Sequence, residues 1–327
     1  MLDLPPLPRQ ILPLGVCCLL NLFGCVAQPR EETAARQPEP VIAAYLPEYR
    51  IKSFDEGHLE HLTDLILFSI EVDSQGGLVL DRWKPEMLDI MDRLGREAPC
   101  RVLISVGGWG RSEGFPEVAA SPAKRKRFGQ ELIKFCRSHH LDGIDLDWEH
   151  PKNDEQRAQF VVLVAELALQ LQEHGLLLTT ALAPWKPVEL AVAQAVDRIH
   201  LMSYDDEKRH STPQQARENI RKWLAAGIPA AKLCLGLPCY GKSIDDRSQS
   251  ARTYARLVND FPDLTGDEVD GYYFNGPATI GEKVDLARQQ GLNGVFFWEI
   301  AQDLSADEPR SLIRAASERA AQQPWKK

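Results

Sequence analysis

One stretch of the chain guides the interpretation of the rest, and it reads Leu141-Asp142-Gly143-Ile144-Asp145-Leu146-Asp147-Trp148-Glu149-His150-Pro151. In a β-strand, side chains alternate between two faces. One face would then carry Asp145, Asp147 and Glu149, while Ile144, Leu146 and Trp148 share the opposite face. Neighbouring carboxylates repel one another and lose hydration, so such a row destabilises a fold. The row therefore indicates a functional site.

A surface strand, a calcium loop and a metal pair could each produce an acidic row, but each fits this sequence less well. A solvated surface strand conflicts with the poor β-propensity of Asp and with the strongly apolar opposite face. A calcium loop would need an oxygen ligand where Ile144 stands, and a glycine further on. A metal pair of the glycosyltransferase type at Asp145 and Asp147 would leave Glu149 without a role. We therefore favour a site that uses all three carboxylates.

The length, composition and net charge of the chain are those of a globular protein. A chain of 327 residues holds one large domain or two ordinary ones. Its 44% hydrophobic and 26% charged residues are typical of a globular protein with a sizeable core. The net charge of −9 argues against a nucleic-acid partner and fits a neutral ligand.

The N-terminus is typical of an export signal. Residues 11–23 form an apolar run, preceded by Arg9, that is too short to span a membrane. Leu22-Phe23-Gly24-Cys25 resembles a bacterial lipobox, although Phe23 is bulky for that motif. We expect residues 1–25 to be a signal peptide or lipoprotein leader and residues 26–40 a linker. The protein would be secreted, periplasmic or lipid-anchored through a membrane tether at Cys25.

Eight strand-like apolar runs, most of them followed by a helical pattern, predict the fold. Continuous apolar runs are typical of parallel strands that are covered on both faces. Eight such units fit an α/β fold of the (β/α)8 TIM barrel type over residues 41–321, with a tail at 322–327. A dinucleotide fold is disfavoured, because Gly107-Gly108-Trp109-Gly110 does not match G-x-G-x-x-G. The predicted strands are 41–46, 64–70, 101–106, 143–149, 176–182, 198–204, 232–238 and 294–299.

Aromatic and acidic residues collect where the predicted strands end. Barrel enzymes react at the C-terminal ends of their strands. Glu149 ends strand four and Trp298 lies near the end of strand eight, while Trp109 and Trp185 follow strands three and five. Indole rings that share one rim suit a sugar ligand, whose C–H faces stack on them.

The rim offers one obvious acid and no obvious partner for it. A retaining glycosidase normally needs two carboxylates about 5 Å apart. Strand seven ends without an acid, in Leu237-Pro238-Cys239-Tyr240-Gly241, and Glu299 would point away if Trp298 points inward. The substrate itself then becomes the candidate nucleophile.

These residues carry a family resemblance. Asp142-x-x-Asp145-x-Asp147-x-Glu149 resembles the D-x-x-D-x-D-x-E signature of glycoside hydrolase family 18, the chitinases and their relatives. The resemblance runs from about Val41 to Ala320. Further segments resemble the S-x-G-G, M-x-Y-D, G-x-P-x-Y-G and closing-strand patterns of the family, at 105–108, 202–205, 236–241 and 294–299.

The resemblance implies roles for individual residues. Glu149 would be the general acid and base, and Asp147 would orient the substrate's 2-acetamido group. Asp145 would share a proton with Asp147, Tyr204 would bind the acetamido carbonyl, and Asp142 would be structural. The connection at 241–274 is too short for the full α+β insertion domain of relatives with deep grooves. Predicted substrate-binding residues are Trp298, Trp109, Trp185, Met202, Asp205, Tyr45 and Phe68.

The expected function is hydrolysis of β-1,4-linked N-acetylglucosamine, in chitin or chitooligosaccharides, with retention through an oxazolinium ion. An endo-β-N-acetylglucosaminidase, a peptidoglycan hydrolase of the family and a non-catalytic lectin specific for N-acetylglucosamine remain alternatives. We expect no cofactor, no metal site and a monomer. The eight histidines are scattered and none forms H-E-x-x-H.

Overall fold

The computed structural model describes residues 40–246, 248 and 250–325. The predicted leader, including Cys25, lies outside the described residues, as do all but the last residue of the predicted linker. Within the described part, the helices are too short or too polar to cross a membrane.

Parallel strands form a closed barrel. The barrel strands are β1 Val41–Pro47, β2 Asp64–Val72, β4 Arg101–Gly107, β5 Gly143–Asp147, β6 Leu177–Leu182, β7 Arg198–Leu201, β8 Leu233–Pro238 and β13 Gly294–Trp298. A further strand of two residues, β3 Leu78–Val79, pairs antiparallel with β2. In the described residues the order around the barrel is β1-β2-β4-β5-β6-β7-β8-β13, and β13 pairs with β1 to complete the ring. This confirms the predicted barrel.

Helices cover the barrel, and several begin at residues that suit a helix start. Asn153 accepts a hydrogen bond from the backbone N–H of Gln156, and Thr212 forms a capping box with Gln215. The described helices are α1 Pro85–Glu97, α2 Phe115–Ala120, α3 Pro122–Ser138, α4 Asp154–Gln172, α5 Leu190–Ala195, α6 Pro213–Ala225, α7 Tyr254–Asp260, α8 Pro277–Gln289 and α9 Leu312–Ala321.

The last helix, α9, begins where two buried polar residues, Ser311 and Asp303, accept hydrogen bonds from its first N–H groups. Ser311 caps it at the N–H of Arg314. The buried carboxylate of Asp303 accepts bonds from the N–H groups of Leu312 and Ile313. The first backbone N–H groups of a helix have no acceptor within the helix, and these bonds supply one. They therefore fix the residue at which α9 begins.

The connection between β8 and β13 is short, as predicted, but it has structure of its own. It contains four short strands, β9 Tyr240–Ser243, β10 Arg252–Thr253, β11 Glu268–Val269 and β12 Tyr272–Tyr273. They form an antiparallel sheet in the order β10-β9-β12-β11, and α7 lies between β10 and β11 in the chain. This small sheet brings Tyr240 and Lys242 to the mouth of the barrel.

Two core regions support the site. The larger lies between strands and helices, and the smaller fills the barrel interior around Tyr45, Phe68 and Phe296. A buried ion pair joins β2 and β7 inside the barrel, where Arg198 donates both Nη groups to Asp64 at 2.9 Å. Burial opposes ionisation of Asp64, yet the guanidinium groups of Arg101 and Arg198 lower its pKa to about 2.

Candidate active site

The acidic row lies where the alternation of β5 places it. Asp145 and Asp147 point into the barrel and are buried, and the Glu149 side chain is 15% exposed beyond the strand end. Ile144, Leu146 and Trp148 pack in the outer core. The three carboxyl groups therefore follow one another from the barrel interior to its mouth.

Asp142 stands apart from this row. Its carboxylate accepts the backbone N–H of Val102 at 2.7 Å, so it ties β4 to the start of β5. This contact fits the structural role that the family resemblance implies for Asp142.

Asp145 is held by several hydrogen-bond donors. Its Oδ2 accepts the Tyr45 hydroxyl at 2.8 Å, and its Oδ1 accepts the Thr179 hydroxyl at 2.6 Å. The His200 Nδ1 lies 3.1 Å from Oδ1, and the Ser105 hydroxyl lies 3.4 Å from Oδ2. Burial opposes the charge, but the bonds from His200, Thr179 and Tyr45 lower the pKa of Asp145. Asp145 is the ionised member of the row.

Asp147 has the opposite environment. Its Oδ1 is buried and has no hydrogen-bond partner among the described residues. Burial first, and then the charges of Glu149 and Asp145, raise the pKa of Asp147 well above its ordinary value. Asp147 therefore keeps a proton while Asp145 is charged.

The pKa of Glu149 is raised, but less than that of Asp147. Burial and then the charge of Asp205 raise its pKa to about 7, and a backbone hydrogen bond at Trp109 opposes the rise. Its Oε2 lies 3.4 Å from the Nε2 of His150. A carboxylic acid with this pKa is partly protonated near neutral pH, as a general acid requires.

Two glycines at the C-terminal end of β4 let the backbone pass close to the row of carboxyl groups. Gly107 and Gly108 both have φ of +100°, and Gly108 donates its N–H to the Asp147 carbonyl at 2.7 Å. A Cβ at Gly107 would lie 2.3 Å from that carbonyl oxygen, and one at Gly108 2.4 Å from the Phe68 ring. Both positions therefore require glycine.

A cleft of about 460 Å³ lies over Glu149. The indoles of Trp109 and Trp185 are 79% and 63% exposed, which is unusual for aromatic side chains of this size. The structure thus brings both tryptophans to the mouth with the acid. The remaining lining residues are His150, Ala183, Pro184, Met202, Tyr204, Asp205 and Lys242.

The aromatic residues below the mouth form a floor. The rings of Phe68 and Trp298 meet edge to face at 4.8 Å between centroids, and Tyr45 lies 5.6 Å from Trp298. Tyr45 is 1% exposed and its hydroxyl binds Asp145. It therefore lies deeper than the predicted cleft wall, and its contacts are those of a residue that supports the carboxylate.

Polar residues at the end of β7 complete the cleft. Asp205 accepts the Tyr240 hydroxyl at 2.5 Å and lies 2.7 Å from the Lys242 Nζ. Burial first, then the charge of Asp205, raises the pKa of Tyr204 well above its ordinary value, so its phenol is neutral.

Glu299 is fully buried, and its Oε1 lies 2.8 Å from the Nε of Arg50. Glu299 also accepts the backbone N–H of Ala301 at 3.0 Å. These contacts confirm that it faces away from the cleft. No cluster of three or more possible metal ligands occurs in the part of the chain that the structure describes.

Five residues of the site were not predicted from the sequence, and they are His150, Thr179, His200, Tyr240 and Lys242. His200 lies two positions before Met202, which was predicted to bind substrate. Side chains two positions apart in a strand share a face, so the sequence did indicate that His200 points into the barrel. Lys242 follows the Tyr240-Gly241 pair directly, but the sequence offers no clue that the short sheet after β8 returns it to Asp205.

A (β/α)8 barrel with a row of inward carboxyl groups at its rim, below exposed indoles, defines a carbohydrate-active barrel of the glycosidase class. The family model described as Glycosyl hydrolases family 18 matches residues 41–303. The chain belongs to this family.

Individual relatives agree with this assignment. Chitinase 1 of Aphanocladium album is 28% identical over 258 residues, which cover 61% of each chain. The chain spans about three fifths of the length of the first curated relatives it matches.

Solved structures share the fold. A family 18 chitinase of Flavobacterium johnsoniae superposes with a TM-score of 0.75 at 25% identity, over 86% of this chain and 94% of that one. A chitinase-like agglutinin of Robinia pseudoacacia gives a TM-score of 0.74 at 23% identity, over 85% and 99%. At that identity the agglutinin shows the fold alone.

Proposed function

We propose that this protein is a chitinase-type hydrolase that cleaves β-1,4-linked N-acetylglucosamine with retention of anomeric configuration. The observation that carries the proposal is the row of three carboxyl groups, which runs from the buried Asp145 and Asp147 to Glu149 at the cleft. The named chitinases among the relatives support the choice of substrate.

The substrate's own amide replaces a second carboxylate as the nucleophile. Asp205, the other acid that lines the cleft, is engaged by Tyr240 and Lys242, and Glu299 is buried against Arg50. A retaining reaction needs a nucleophile close to the anomeric carbon. The 2-acetamido oxygen meets that need by forming an oxazolinium ion.

Each residue then has a defined task. Glu149 gives its proton to the glycosidic oxygen as the C–O bond breaks and the acetamido oxygen bonds to the anomeric carbon. Asp147 binds the acetamido N–H, and the neutral Tyr204 hydroxyl donates to the acetamido oxygen. Glu149 next takes a proton from water, which attacks the anomeric carbon and opens the oxazolinium ring. Two displacements give retention.

The decisive experiment follows the first product by proton NMR. With chitooligosaccharides, the β-anomer should appear first and then mutarotate. An initial α-anomer would exclude the oxazolinium route. Glu149→Gln should reduce turnover by about 10²- to 10⁴-fold while binding persists, because Gln keeps the shape of the side chain and has no acidic proton.

The lectin alternative makes a different prediction. A lectin would bind chitooligosaccharides saturably and release no reducing ends. The endo-β-N-acetylglucosaminidase and peptidoglycan alternatives are separated by comparing chitin oligomers, N-glycans and peptidoglycan fragments as substrates. Asp147→Asn serves as a further control, since it should impair hydrolysis of substrates that carry a 2-acetamido group.

We also propose export, on the sequence of residues 1–25 alone. Mass spectrometry of the mature protein would locate its first residue. Incorporation of labelled fatty acid that is lost in Cys25→Ser would support lipid attachment, and cleavage elsewhere without label would support a secreted form.

A further inference from the structure

His200 is a buried imidazole that the proposed reaction does not use. It lies on β7 with 1% of its surface exposed. Its Nδ1 is 3.1 Å from Asp145 Oδ1 and 2.9 Å from the Tyr45 hydroxyl. Its Nε2 is buried and has no hydrogen-bond partner among the described residues.

These contacts select one tautomer. If Nδ1 carried no proton, its lone pair would face the Asp145 carboxylate, and an N–H at Nε2 would be buried without an acceptor. With the proton on Nδ1, the N–H points at Asp145, and only a weak acceptor is left unpaired at Nε2. The Tyr45 hydroxyl remains able to donate to the second Asp145 oxygen.

The other ionisable groups near the His200 ring are either neutral or paired with another group. Burial raises the pKa of the Cys234 thiol, opposite His200 on β8, to about 12. Burial likewise raises the pKa of Tyr45 and of Tyr204 well above their ordinary value. Arg198, two residues back on β7, is paired with Asp64. Among the described groups, Asp145 is therefore the charge that His200 contacts.

We propose that His200 is a positioning residue whose Nδ1–H keeps the negative charge on Asp145 and leaves Asp147 protonated. Thr179 and Tyr45 add donors to Asp145, whereas Asp147 Oδ1 receives none from the described residues. His200 thus acts on the reaction through Asp145 and does not touch the substrate.

The location of this charge matters for Glu149. In an extended chain, Asp147 lies about 7 Å from Glu149 and Asp145 about 13 Å, at about 3.3 Å per residue. Moving the charge from Asp145 to Asp147 would raise the pKa of Glu149 by roughly one pH unit at an effective dielectric constant of about 20. His200 therefore sets the pH at which the acid loses its proton.

Three substitutions separate this role from simple packing. Asn places an N–H close to the position of Nδ1, Gln places one close to Nε2, and Phe supplies none. We expect His200→Phe and His200→Gln to move the basic limb of kcat/KM upward by roughly one pH unit, and His200→Asn to keep the wild-type limb. A packing role alone would lower the plateau in all three without moving the limb, and that result would overturn the proposal.

The pH profile rests on the proposed function, because it requires turnover of a substrate. A second measurement does not require activity and therefore tests the role of His200 independently of that function. Nitrogen NMR of labelled histidine should show His200 with its proton on Nδ1, and a proton on Nε2 would refute the proposal. Carbon NMR of labelled aspartate should show protonated Asp147 in the wild type and protonated Asp145 in His200→Phe. Thermal unfolding verifies that each variant is folded.

Discussion

The charge of Asp205 should shift the pH range in which the proposed hydrolase is active. Burial is the largest cause of the rise in the pKa of Glu149 from 4.5 to about 7, and Asp205 comes second. Asp205 therefore raises this pKa by less than burial does. Because its side chain is 50% exposed, water and salt weaken its field further. We expect its share to be about 0.5 to 1 pH unit.

Two substitutions at this ion pair should have opposite effects. Asp205→Asn removes a negative charge, so the pKa of Glu149 falls and the basic limb of kcat/KM moves to lower pH. Lys242→Met removes the cation 2.7 Å from Asp205, so less positive charge offsets Asp205 and the limb moves to higher pH. At pH 8, roughly a tenth of a group with a pKa of about 7 is protonated, so Asp205→Asn lowers kcat/KM there up to about tenfold.

The assay is hydrolysis of a defined chitooligosaccharide from pH 5 to 9. If a variant loses contacts with the substrate, its KM changes but the basic limb of kcat/KM stays where it is. The limb moves only if the pKa of Glu149 changes. The separation between the two limbs should shrink in 1 M salt, where the Debye length is about 3 Å. If both limbs moved in the same direction, or if neither moved, the contribution of Asp205 to the raised pKa of Glu149 would be refuted.

Three further predictions concern binding and stability. Gly108→Ala should lower the free energy of unfolding by about 2 kcal/mol and reduce activity, measured by denaturant titration and turnover, because φ is +100° and an aromatic ring lies in the way. Arg198→Leu should lower the free energy of unfolding by about 3 kcal/mol, since it leaves the buried Asp64 with a single guanidinium partner; an unchanged melting temperature would contradict this. Trp109→Ala and Trp185→Ala should raise KM for longer oligomers and leave the melting temperature unchanged, because both indoles are exposed.

Features that follow from local periodicity could be predicted from the sequence. Alternation along β5 placed the acids inside and the apolar side chains outside, and the apolar runs gave the barrel strands to within a few residues. The exposed tryptophans were also predicted at the rim, because strand ends define that rim in a parallel barrel.

Contacts that depend on closure of the barrel could not be predicted. Tyr45 and His200 reach Asp145 from strands that are 100 and 55 positions away in the chain. A single histidine in an apolar strand has no distinguishing pattern, so its partner is identified only when β7 and β1 are placed around β5. The same holds for Lys242, whose approach to Asp205 depends on the short sheet after β8.

The three acids of the row show why a shared strand does not impose a shared protonation state. Asp145 and Asp147 are both buried, so desolvation raises both pKa values, and hydrogen bonding separates them. Asp145 receives donors from four strands, whereas Asp147 Oδ1 has none among the described residues. Glu149 lies at the cleft with fewer donors and less burial, so its pKa falls near neutrality. One residue pattern thus yields an ionised carboxylate, a protonated carboxyl group and an acid whose pKa lies near neutrality, because hydrogen-bond donors, burial and nearby charges differ along the row.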